Sequence, residues 1–227
     1  APRKLHNSTW GFLCPVETPE GQSIGIVKNI SFMTHLTIPT HSASLYEMVA
    51  PDIIALDDLV SPKEAFGKVK VFINGAWIGI AKEPLELYSK LKERKCKNII
   101  NLYTSISFDY GRMELRICND AGRMTRPVLR VKNNKVLITK EIIEKLKTKE
   151  LSWNDLIMDT RIEEAVIEYI DPDEQNHAMI AMKNKEKYIH HLQSNFDSTK
   201  KLHINYNYSE IHPCTIFGIL ASCVPFP

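Results

Sequence analysis

Two carboxylates lie close together in an unusual stretch near the start of the sequence. Residues 14–29 read CPVETPEGQSIGIVKN, with Glu17 three positions before Glu20. Paired carboxylates can act as general acid and general base, as they do in glycoside hydrolysis. No histidine or nucleophile is paired with these two locally, and their spacing in a proline-flanked loop does not bring them together. The sequence therefore does not favour a hydrolase.

The same stretch has a structural interpretation, in which it is a stiff loop. Pro15 and Pro19 fix the backbone angle φ, and Gly21 allows a backbone conformation that other residues resist. The two carboxylates would then accept hydrogen bonds from amides of the turn or pair with Arg3 or Lys28. A rigid loop that carries charge is a common way to present a binding surface. On the residues alone, this interpretation is favoured over catalysis.

Other familiar chemical motifs are missing from the sequence. Gly21 and Gly25 do not form the GxxxxGK[ST] loop that binds phosphate, and there is no GxSxG motif of a serine hydrolase. The five cysteines contain no CxxC pair, which disfavours a structural zinc site and a disulfide framework. Four histidines lack a carboxylate or cysteine at ligand spacing and are expected to be solvated: His190, His191, His203 and His212. We therefore predict no catalytic residue and no metal site.

The composition is that of a globular protein. Of 227 residues, 44% are hydrophobic, which is enough for a substantial core. No apolar run approaches the roughly 20 residues that span a bilayer, and the first residues lack the apolar segment of a signal peptide. Together with the cysteine pattern, this favours a reducing, intracellular setting without a membrane. The chain begins without Met and ends in the apolar ASCVPFP, so we expect both ends to be cuts in a longer protein.

The formal net charge of +2 does not by itself indicate a nucleic-acid partner, so any basic surface must be local. One predicted β region holds five arginines and is compatible with RNA or DNA, although we expect Arg116 and Arg130 to lie on solvent faces. A helix predicted at 84–95 carries basic residues that we also expect to be solvated. The other three arginines of the β region are Arg112, Arg123 and Arg126, and the basic residues of the predicted helix are Lys90, Lys92, Arg94 and Lys95.

Local signals predict a series of short elements. Residues 69–80 alternate in hydrophobicity around Asn74-Gly75, which indicates a hairpin with a type I′ turn. Ser152 and Asp155 resemble a capping box for a helix at 153–158. Further strands are predicted at 24–36, 113–117, 126–131 and 135–138, a strand pair at 165–170 and 177–182, and helices at 45–60 (with a loop), 140–147 and 213–223. The fold class predicted from this pattern is α+β, with several small mixed α/β modules and antiparallel hairpins.

A resemblance to a known family extends this interpretation. The stretch RKLHNSTWGFLCPVETPEGQSIGIVKNIS closely resembles the end of the fork domain in the second-largest, β-type subunit of multisubunit DNA-directed RNA polymerases. Later stretches resemble the same subunit in the same order: VFINGAWIG and NDAGRMTRPV its external domain, EYIDPDE the next external segment, and SEIHPCTIFGILASCVPFP the start of its hybrid-binding domain. The pattern is similar to the eukaryotic, archaeal or large-DNA-virus branch, and the Lys-, Ile- and Asn-rich composition favours a viral source.

The resemblance implies an internal fragment of a larger multidomain subunit. The implied organisation is the C-terminal part of the fork domain at 1–37, a connector at 38–61, the external domain in two parts at 62–131 and 132–182, a polar linker at 183–207, and the start of the hybrid-binding domain at 208–227.

The resemblance also implies a site. In this family the ETPEG loop lies near the active-centre cleft, so Glu20 and Gly21 would help to set the surroundings of the nucleotide site, with Glu17 bracing the turn. Thr18 and Pro19 complete that loop. The implied nucleic-acid contacts are Arg3, Lys4, His6 and Lys28.

The implied function is DNA-templated RNA synthesis by two-metal nucleotidyl transfer, within a complex. The implied partners are the largest subunit and other polymerase subunits, the DNA template and the RNA–DNA hybrid. Mg²⁺ would be held by the largest subunit, and zinc would belong to the C-terminal part of this one, beyond the present sequence. The location would be the nucleus in a eukaryote, or the host cytoplasm or virion for a virus. This fragment alone is expected to be inactive.

A second interpretation stays open on the residues. The chain could be a non-catalytic module that binds nucleic acid or acts as a scaffold and retains the same fold. A metal hydrolase, the third option, has no ligand set to support it.

Overall fold

Two mixed β-sheets with helices packed against them make up the protein. The structure, a computed structural model, describes residues 3–59, 61–133, 135–158, 161–182 and 205–225. The strands are β1 (His35–Leu36), β2 (Ile53–Ala55), β3 (Lys70–Ile73), β4 (Ala76–Ala81), β5 (Ser105–Asp109), β6 (Glu114–Cys118), β7 (Met124–Lys132), β8 (Lys135–Val136), β9 (Ile167–Ile170), β10 (Ile180–Ala181) and β11 (Tyr208–Ser209). The helices are α1 (Ala43–Val49), α2 (Pro84–Cys96), α3 (Lys140–Lys147), α4 (Trp153–Ile157), α5 (Pro172–Asn176) and α6 (Ile219–Ser222). The predicted α+β class is confirmed.

The first sheet has five strands in the order β2-β4-β3-β6-β5. All neighbours are antiparallel except β3 and β6, which are parallel. The predicted hairpin is confirmed: β3 and β4 are joined at Asn74 (φ 48°) and Gly75 (φ 81°), the two positive angles of a type I′ turn. Helix α2 covers one face of this sheet with Leu87 and Leu91, both fully buried, and so forms the first hydrophobic core.

The second sheet is organised around the long strand β7. It pairs with β1, β8, β9 and β11, all antiparallel, and β11 continues to β10 in a parallel pair. Helix α4 packs beside β9, and its Leu156 and Ile157 join the core under this sheet. The predicted capping box of α4 is confirmed, with the Ser152 amide donating to Asp155 Oδ2 over 2.8 Å. Within the described residues, no helix is long and apolar enough to cross a membrane.

Several element predictions need correction. The stretches 165–170 and 177–182 do not pair with each other, because β9 pairs with β7 and β10 pairs with β11. Residues 53–55 form a strand within the predicted helix and loop at 45–60. Met113 has φ 56° and precedes its strand. Of the predicted polar linker 183–207, residues 183–204 lie outside the described residues.

The predicted helix at 213–223 is instead two short pieces. A 3-10 helix spans Pro213–Ile216 and α6 follows at Ile219, with Phe217 and Gly218 extended between them. The carbonyls that would continue a helix are used elsewhere: the Ile216 carbonyl accepts from the Ser31 hydroxyl, and the Phe217 carbonyl accepts from the Phe32 amide, both over 2.8 Å. Contacts with a distant segment therefore override the local helical signal.

A buried ion cluster joins the two sheets. Lys92 and Lys95 of α2 meet Glu168 of β9 and Glu174 of α5, with Lys92–Glu168 at 2.7 Å and Lys95–Glu174 at 3.3 Å. The Lys95 ammonium also donates to the Tyr169 carbonyl over 2.7 Å. The expectation that these lysines are solvated is wrong, because each finds a carboxylate on an element far away in the sequence.

The cluster shifts the pKa values of Glu168 and Lys92. Burial alone would raise the pKa of Glu168, but the ammonium groups of Lys92 and Lys95 outweigh it and lower that pKa to about 2. Burial would likewise lower the pKa of Lys92, and the two facing carboxylates reverse this and raise it. Glu168 and Lys92 therefore both stay ionised across the neutral range.

We predict that Glu168→Gln lowers the free energy of unfolding by about 3–5 kcal/mol, because it leaves the two buried ammonium groups of Lys92 and Lys95 facing a single carboxylate, that of Glu174. The matched control is Glu93→Gln, which removes the exposed ion pair between Glu93 of α2 and Lys97. This control should lower the free energy of unfolding by about 0–1 kcal/mol. Urea denaturation monitored by circular dichroism measures both.

The pH dependence of unfolding tests whether the charge of Glu168 causes this loss of stability. The pKa of Glu168 is depressed in the folded state, so its contribution is present above the unfolded pKa and is lost as pH falls towards about 2. The difference between wild type and Glu168→Gln should therefore shrink in acid. Equal losses for the two variants, or a difference that does not change with pH, would contradict this account.

Candidate functional site

Residues 14–30 form a closed loop whose two ends lie side by side. Leu13 and Ile30 form an antiparallel bridge, and the Cys14 amide donates to the Asn29 carbonyl over 2.8 Å. Cys14 is buried. The loop is thus anchored at its base to the body of the protein.

Thr18 ties the two sides of this loop together. Its hydroxyl donates to the Val27 carbonyl over 3.1 Å and accepts from the Gly25 amide over 2.9 Å. The Asn29 side chain adds a third link by donating to the Glu17 carbonyl over 3.3 Å. The expected stiffness therefore comes from side-chain hydrogen bonds as well as from the prolines.

The strand predicted at 24–36 is wrong for most of its length. Gly21 (φ 102°) and Gly25 (φ 74°) take positive angles, and residues 22–26 form turns. Ile26, read as part of a buried strand, is 75% exposed. In this range only the bridge at Ile30 and strand β1 have extended pairing. The turning backbone overrides the apolar pattern.

The candidate loop residues lie at different depths. Pro19, Glu20 and Gly21 are exposed at the tip, while Glu17 and Thr18 are half-buried. Among the described residues neither carboxylate forms an ion pair with Arg3 or Lys28, nor accepts a hydrogen bond from a turn amide. The pairing expected from the sequence is therefore wrong, and the links across the loop are made by the Thr18 hydroxyl and the Glu17 carbonyl.

The four candidate nucleic-acid contacts are all exposed: Arg3, Lys4, His6 and Lys28. His6 also has a structural role, because its Nδ1 accepts from the Ser8 amide over 3.2 Å and caps the short 3-10 helix that follows. Within the described part of the chain, no ion pair engages the other three cations. Their charge is therefore available to a partner.

Arg126 of β7 holds in place residues 10–12, the segment that leads into the loop. We call the contacts among Arg126, Gln175, Glu210 and this segment the clamp. Its guanidinium donates to both carboxylate oxygens of Glu210, over 2.7 and 2.9 Å, and to Gln175 Oε1 over 2.7 Å. It lies 5.6 Å from the centre of the buried Phe12 ring. The backbone of Gly11 passes so close that a methyl group there would lie 2.6 Å from Arg126 Cδ.

Trp10 closes the same clamp from the other side. Its indole donates to Glu210 Oε1 over 3.3 Å, and its carbonyl accepts from the Gln175 side chain over 3.1 Å. A bidentate pair that is buried and shares a third partner is a specific, geometrically demanding contact. No local pattern predicts this pair, since its partners are 84 residues apart in the sequence.

Three further arginines of this region, but not the largely exposed Arg112, bind groups of the protein itself. Arg123 pairs with Asp171 at 3.3 Å, Arg116 with Asp173 at 3.4 Å, and Arg130 donates to a backbone carbonyl over 2.8 Å. The predicted solvent faces for Arg116 and Arg130 are wrong. Arg116 joins β6 of the first sheet to α5, while Arg123 and Arg130 bind groups next to β9 in the second sheet, so these three cations do not form an open basic surface.

No group of three His, Cys, Asp or Glu side chains that could hold a metal ion occurs among the described residues. His190, His191 and His203 fall outside them. His212 caps the 3-10 helix at Pro213–Ile216, with its Nδ1 accepting from the Cys214 amide over 3.2 Å.

The sequence of this chain matches known protein families. Three family models match the chain in sequence order: RNA polymerase Rpb2, domain 3, at residues 1–36; Rpb2, domain 4, at 71–132; and Rpb2, domain 5, at 153–213. Relatives match across the whole length; one is the DNA-directed RNA polymerase II subunit RPB2 of Encephalitozoon cuniculi, which is 38% identical over 227 residues. The chain belongs to the Rpb2 family of RNA polymerase subunits.

Further Rpb2 relatives come from distant sources. The RNA polymerase II subunit 2 of Arabidopsis thaliana is 35% identical, and the RNA polymerase subunit 2 of Acanthamoeba polyphaga mimivirus is 28% identical, each aligned with 100% of this chain. The chain spans about a fifth of each relative: 19% in E. cuniculi and A. thaliana, and 20% in mimivirus. The resemblance inferred from the sequence is confirmed, while the domain boundaries stay a prediction.

The loop of residues 14–30 lies inside the match to Rpb2 domain 3. The clamp next to it also contains residues that lie in the matches to domains 4 and 5. Gly11 belongs to domain 3, Arg126 to domain 4, and Gln175 and Glu210 to domain 5. The base of the loop is therefore fixed by all three Rpb2 units at one point.

We predict that Gly11→Ala destabilises the protein far more than Gly67→Ala. Both glycines have similar positive angles, φ 77° and 73°, so each substitution carries a backbone strain of about 1–2 kcal/mol. Only the methyl group at Gly11 meets a neighbour, the buried Arg126, and should cost about 2 kcal/mol or more beyond that strain. Urea denaturation measures both; equal losses would show that the Arg126 contact is unimportant.

Proposed function

We propose that this chain is part of the second-largest subunit of a multisubunit DNA-directed RNA polymerase and takes part in DNA-templated RNA synthesis. The observation that carries the proposal is the ordered match to three consecutive Rpb2 domains on one chain. Relatives from a eukaryote and a virus carry names that describe polymerase subunits. The partners would be the largest subunit and other polymerase subunits, with the DNA template and the RNA–DNA hybrid.

The loop of residues 14–30 would act by position rather than by chemistry. Phosphoryl transfer depends mainly on alignment and electrostatics, so an element near the nucleotide must hold its shape. Thr18 and the bridge at Ile30 supply that rigidity. The exposed tip would place Glu20 and Gly21 towards the active centre, and the exposed cations Arg3, Lys4 and Lys28 would contact phosphates together with His6.

The metal ions of the reaction do not fit this part of the chain. The described residues offer no cluster of three suitable ligands. As the family resemblance implies, two-metal nucleotidyl transfer would use Mg²⁺ held by the largest subunit, and zinc would belong to the C-terminal part of this subunit. We propose an intracellular location, in the nucleus for a cellular eukaryote and in the host cytoplasm or virion for a virus.

The alternative is a non-catalytic nucleic-acid-binding or scaffold module with the same fold. The inward-facing arginines argue against a large open phosphate-binding surface in the described residues.

The first test is to tag the full-length native protein and purify it gently. We expect a larger subunit in equal amount and Mg²⁺-dependent extension of an RNA primer on a DNA template. A lone chain that binds nucleic acid but makes no RNA would support the scaffold alternative instead.

Variants of the same complex test the loop. Gly21→Val should slow elongation, because a β-branched residue is strained at φ 102° although no neighbour lies within 4 Å. The matched control is Gly67→Val, an open glycine at φ 73° outside the loop. Normal elongation by Gly21→Val, or equal slowing by both variants, would contradict a specific role for Gly21.

A further inference from the structure

A cavity of about 680 Å³ lies between helix α2 and the second sheet, and no residue of the loop 14–30 lines it. On the helix side it is lined by Tyr88, Lys92 and Cys96, which share one face of α2 because they are four residues apart. On the sheet side it is lined by Arg130 and Tyr208, which lie opposite each other on β7 and β11 and so project from the same face of the sheet. Its volume is in the range of small-molecule sites.

The buried end of this cavity is polar, and its polar groups bind one another. Lys92 pairs with Glu168 at 2.7 Å and with Glu174 at 2.5 Å, and the Tyr208 hydroxyl donates to Glu168 Oε2 over 3.0 Å. The side chains of the three charged residues are at most 15% exposed. Because these groups are satisfied within the protein, the charge that could attract a ligand must come from other residues.

The remaining two lysines of the lining are also neutralised. Lys97 pairs with Glu93 at 2.5 Å, and Lys132 pairs with Glu164. An ammonium group that already has a carboxylate at this distance offers little net charge to a ligand.

Arg130 differs from the lysines because its ion pair is loose. Its Nε lies 3.9 Å from Glu168 Oε2, beyond hydrogen-bond distance, and its Nη1 donates to the Ala165 carbonyl over 2.8 Å. Among the described residues this is the one hydrogen bond of a guanidinium that has five N–H groups. The planar fork of donors matches a carboxylate, which it can bind through two parallel hydrogen bonds.

Two further groups of the lining are uncharged at neutral pH. Burial raises the pKa of the Tyr88 phenol and the pKa of the Cys96 thiol. The Tyr88 hydroxyl makes no hydrogen bond with the part of the chain that the structure describes. A protonated phenol can donate to an anion, so Tyr88 adds a second donor to that of Arg130.

The rim of the cavity limits the charge that a ligand can carry. Glu163 lines the cavity, is exposed, and forms no ion pair within the described ranges. Its negative charge repels a second negative charge on a ligand. A phosphate ester, with a charge of about −1.5 to −2, and a nucleic-acid strand are therefore disfavoured relative to a single carboxylate.

We propose that this cavity binds a small organic acid with one carboxylate on an aromatic or apolar body. The carboxylate binds the guanidinium of Arg130 and accepts from the Tyr88 hydroxyl, and the body lies among the rings of Tyr88, Tyr206 and Tyr208. Tyr88 and Arg130 lie in the match to Rpb2 domain 4, and Glu163 and Tyr208 lie in the match to domain 5. The ligand would therefore bridge these two units.

The test is photolabelling of the full-length native protein, purified gently with the subunits that accompany it, by 4-azidobenzoate. We expect saturable labelling of peptides from the lining, within residues 88–97, 130–132 or 206–208, and protection by excess benzoate. The neutral analogue 4-azidobenzamide should label these peptides about tenfold less, because it lacks the charge that Arg130 binds. Absence of labelling in these peptides, or equal labelling by the amide, would overturn the proposal.

An arginine variant tests the contact with the carboxylate. Arg130→Met should reduce the labelling by 4-azidobenzoate about tenfold or more, because it removes the charged donors. The matched control is Arg112→Met, at an arginine whose side chain is 71% exposed and outside the cavity, and it should label as the wild type does. Unchanged labelling of Arg130→Met would contradict the assigned contact.

A variant at the rim tests the selection for one negative charge and keeps the proposal falsifiable if Arg130→Met does not fold. In the wild type, benzoate should protect the cavity at a lower concentration than phenyl phosphate. Glu163→Lys should improve protection by phenyl phosphate about threefold or more. Glu150→Lys, at an exposed position outside the cavity, should not. Better protection by phenyl phosphate in the wild type, or no change in Glu163→Lys, would overturn the assignment of a monocarboxylate.

This inference does not depend on the proposed function, because labelling is measured without RNA synthesis. If the preparation extends RNA but the cavity is not labelled, the inference fails and the proposed function stands. If the cavity is labelled in a preparation that contains no larger subunit and makes no RNA, the proposed function fails and the inference stands.

Discussion

The buried pair between Arg126 and Glu210 is the contact on which the rest of the arrangement depends. It joins the long central strand β7 to the segment after β11, and it holds Gly11 and Phe12 against the guanidinium. Because these residues fall in the matches to three different Rpb2 domains, one guanidinium sets the relative position of all three. The space for it exists only because residue 11 has no side chain.

The second ion cluster acts in the same way at another junction. Lys92 and Lys95 lie in a segment matched to Rpb2 domain 4, and Glu168 and Glu174 lie in the match to domain 5. Buried ion pairs contribute little net stability compared with a well-packed apolar contact, but they tolerate only one geometry. We interpret both clusters as devices that specify how the modules meet, which suits a protein whose loop must be held in a fixed place.

Local signals in the sequence predicted the elements whose geometry is decided locally. The Asn74-Gly75 turn, the helix that begins at Pro84 and the capping box at Ser152 depend on neighbouring residues, and all three are confirmed. The predictions failed where distant partners decide. The apolar run after Ile24 turns because Thr18 ties it back, and the helix expected after Pro213 breaks because residues 31 and 32 take its carbonyls.

At the candidate site, too, the sequence predicted the loop but not the contacts made by distant residues. The resemblance identified the ETPEG loop, and the structure adds how its base is fixed. Basic residues on a helix or strand look alike in a sequence whether they face water or a buried carboxylate, so the roles of Lys95 and Arg126 could not be predicted without their partners. Glu17 is the reverse case, a charge for which the described chain provides no partner.

Hydrogen exchange of the Arg126→Met variant tests the central claim most directly, with Arg112→Met, at a largely exposed arginine, as the control. The account predicts faster amide exchange at three separate places, in peptides covering residues 9–14, 29–32 and 207–212, because each is held by the clamp or by its neighbours. Arg112→Met should leave these peptides protected. Faster exchange confined to the strand around residue 126 would show that the three Rpb2 units are not joined through this pair.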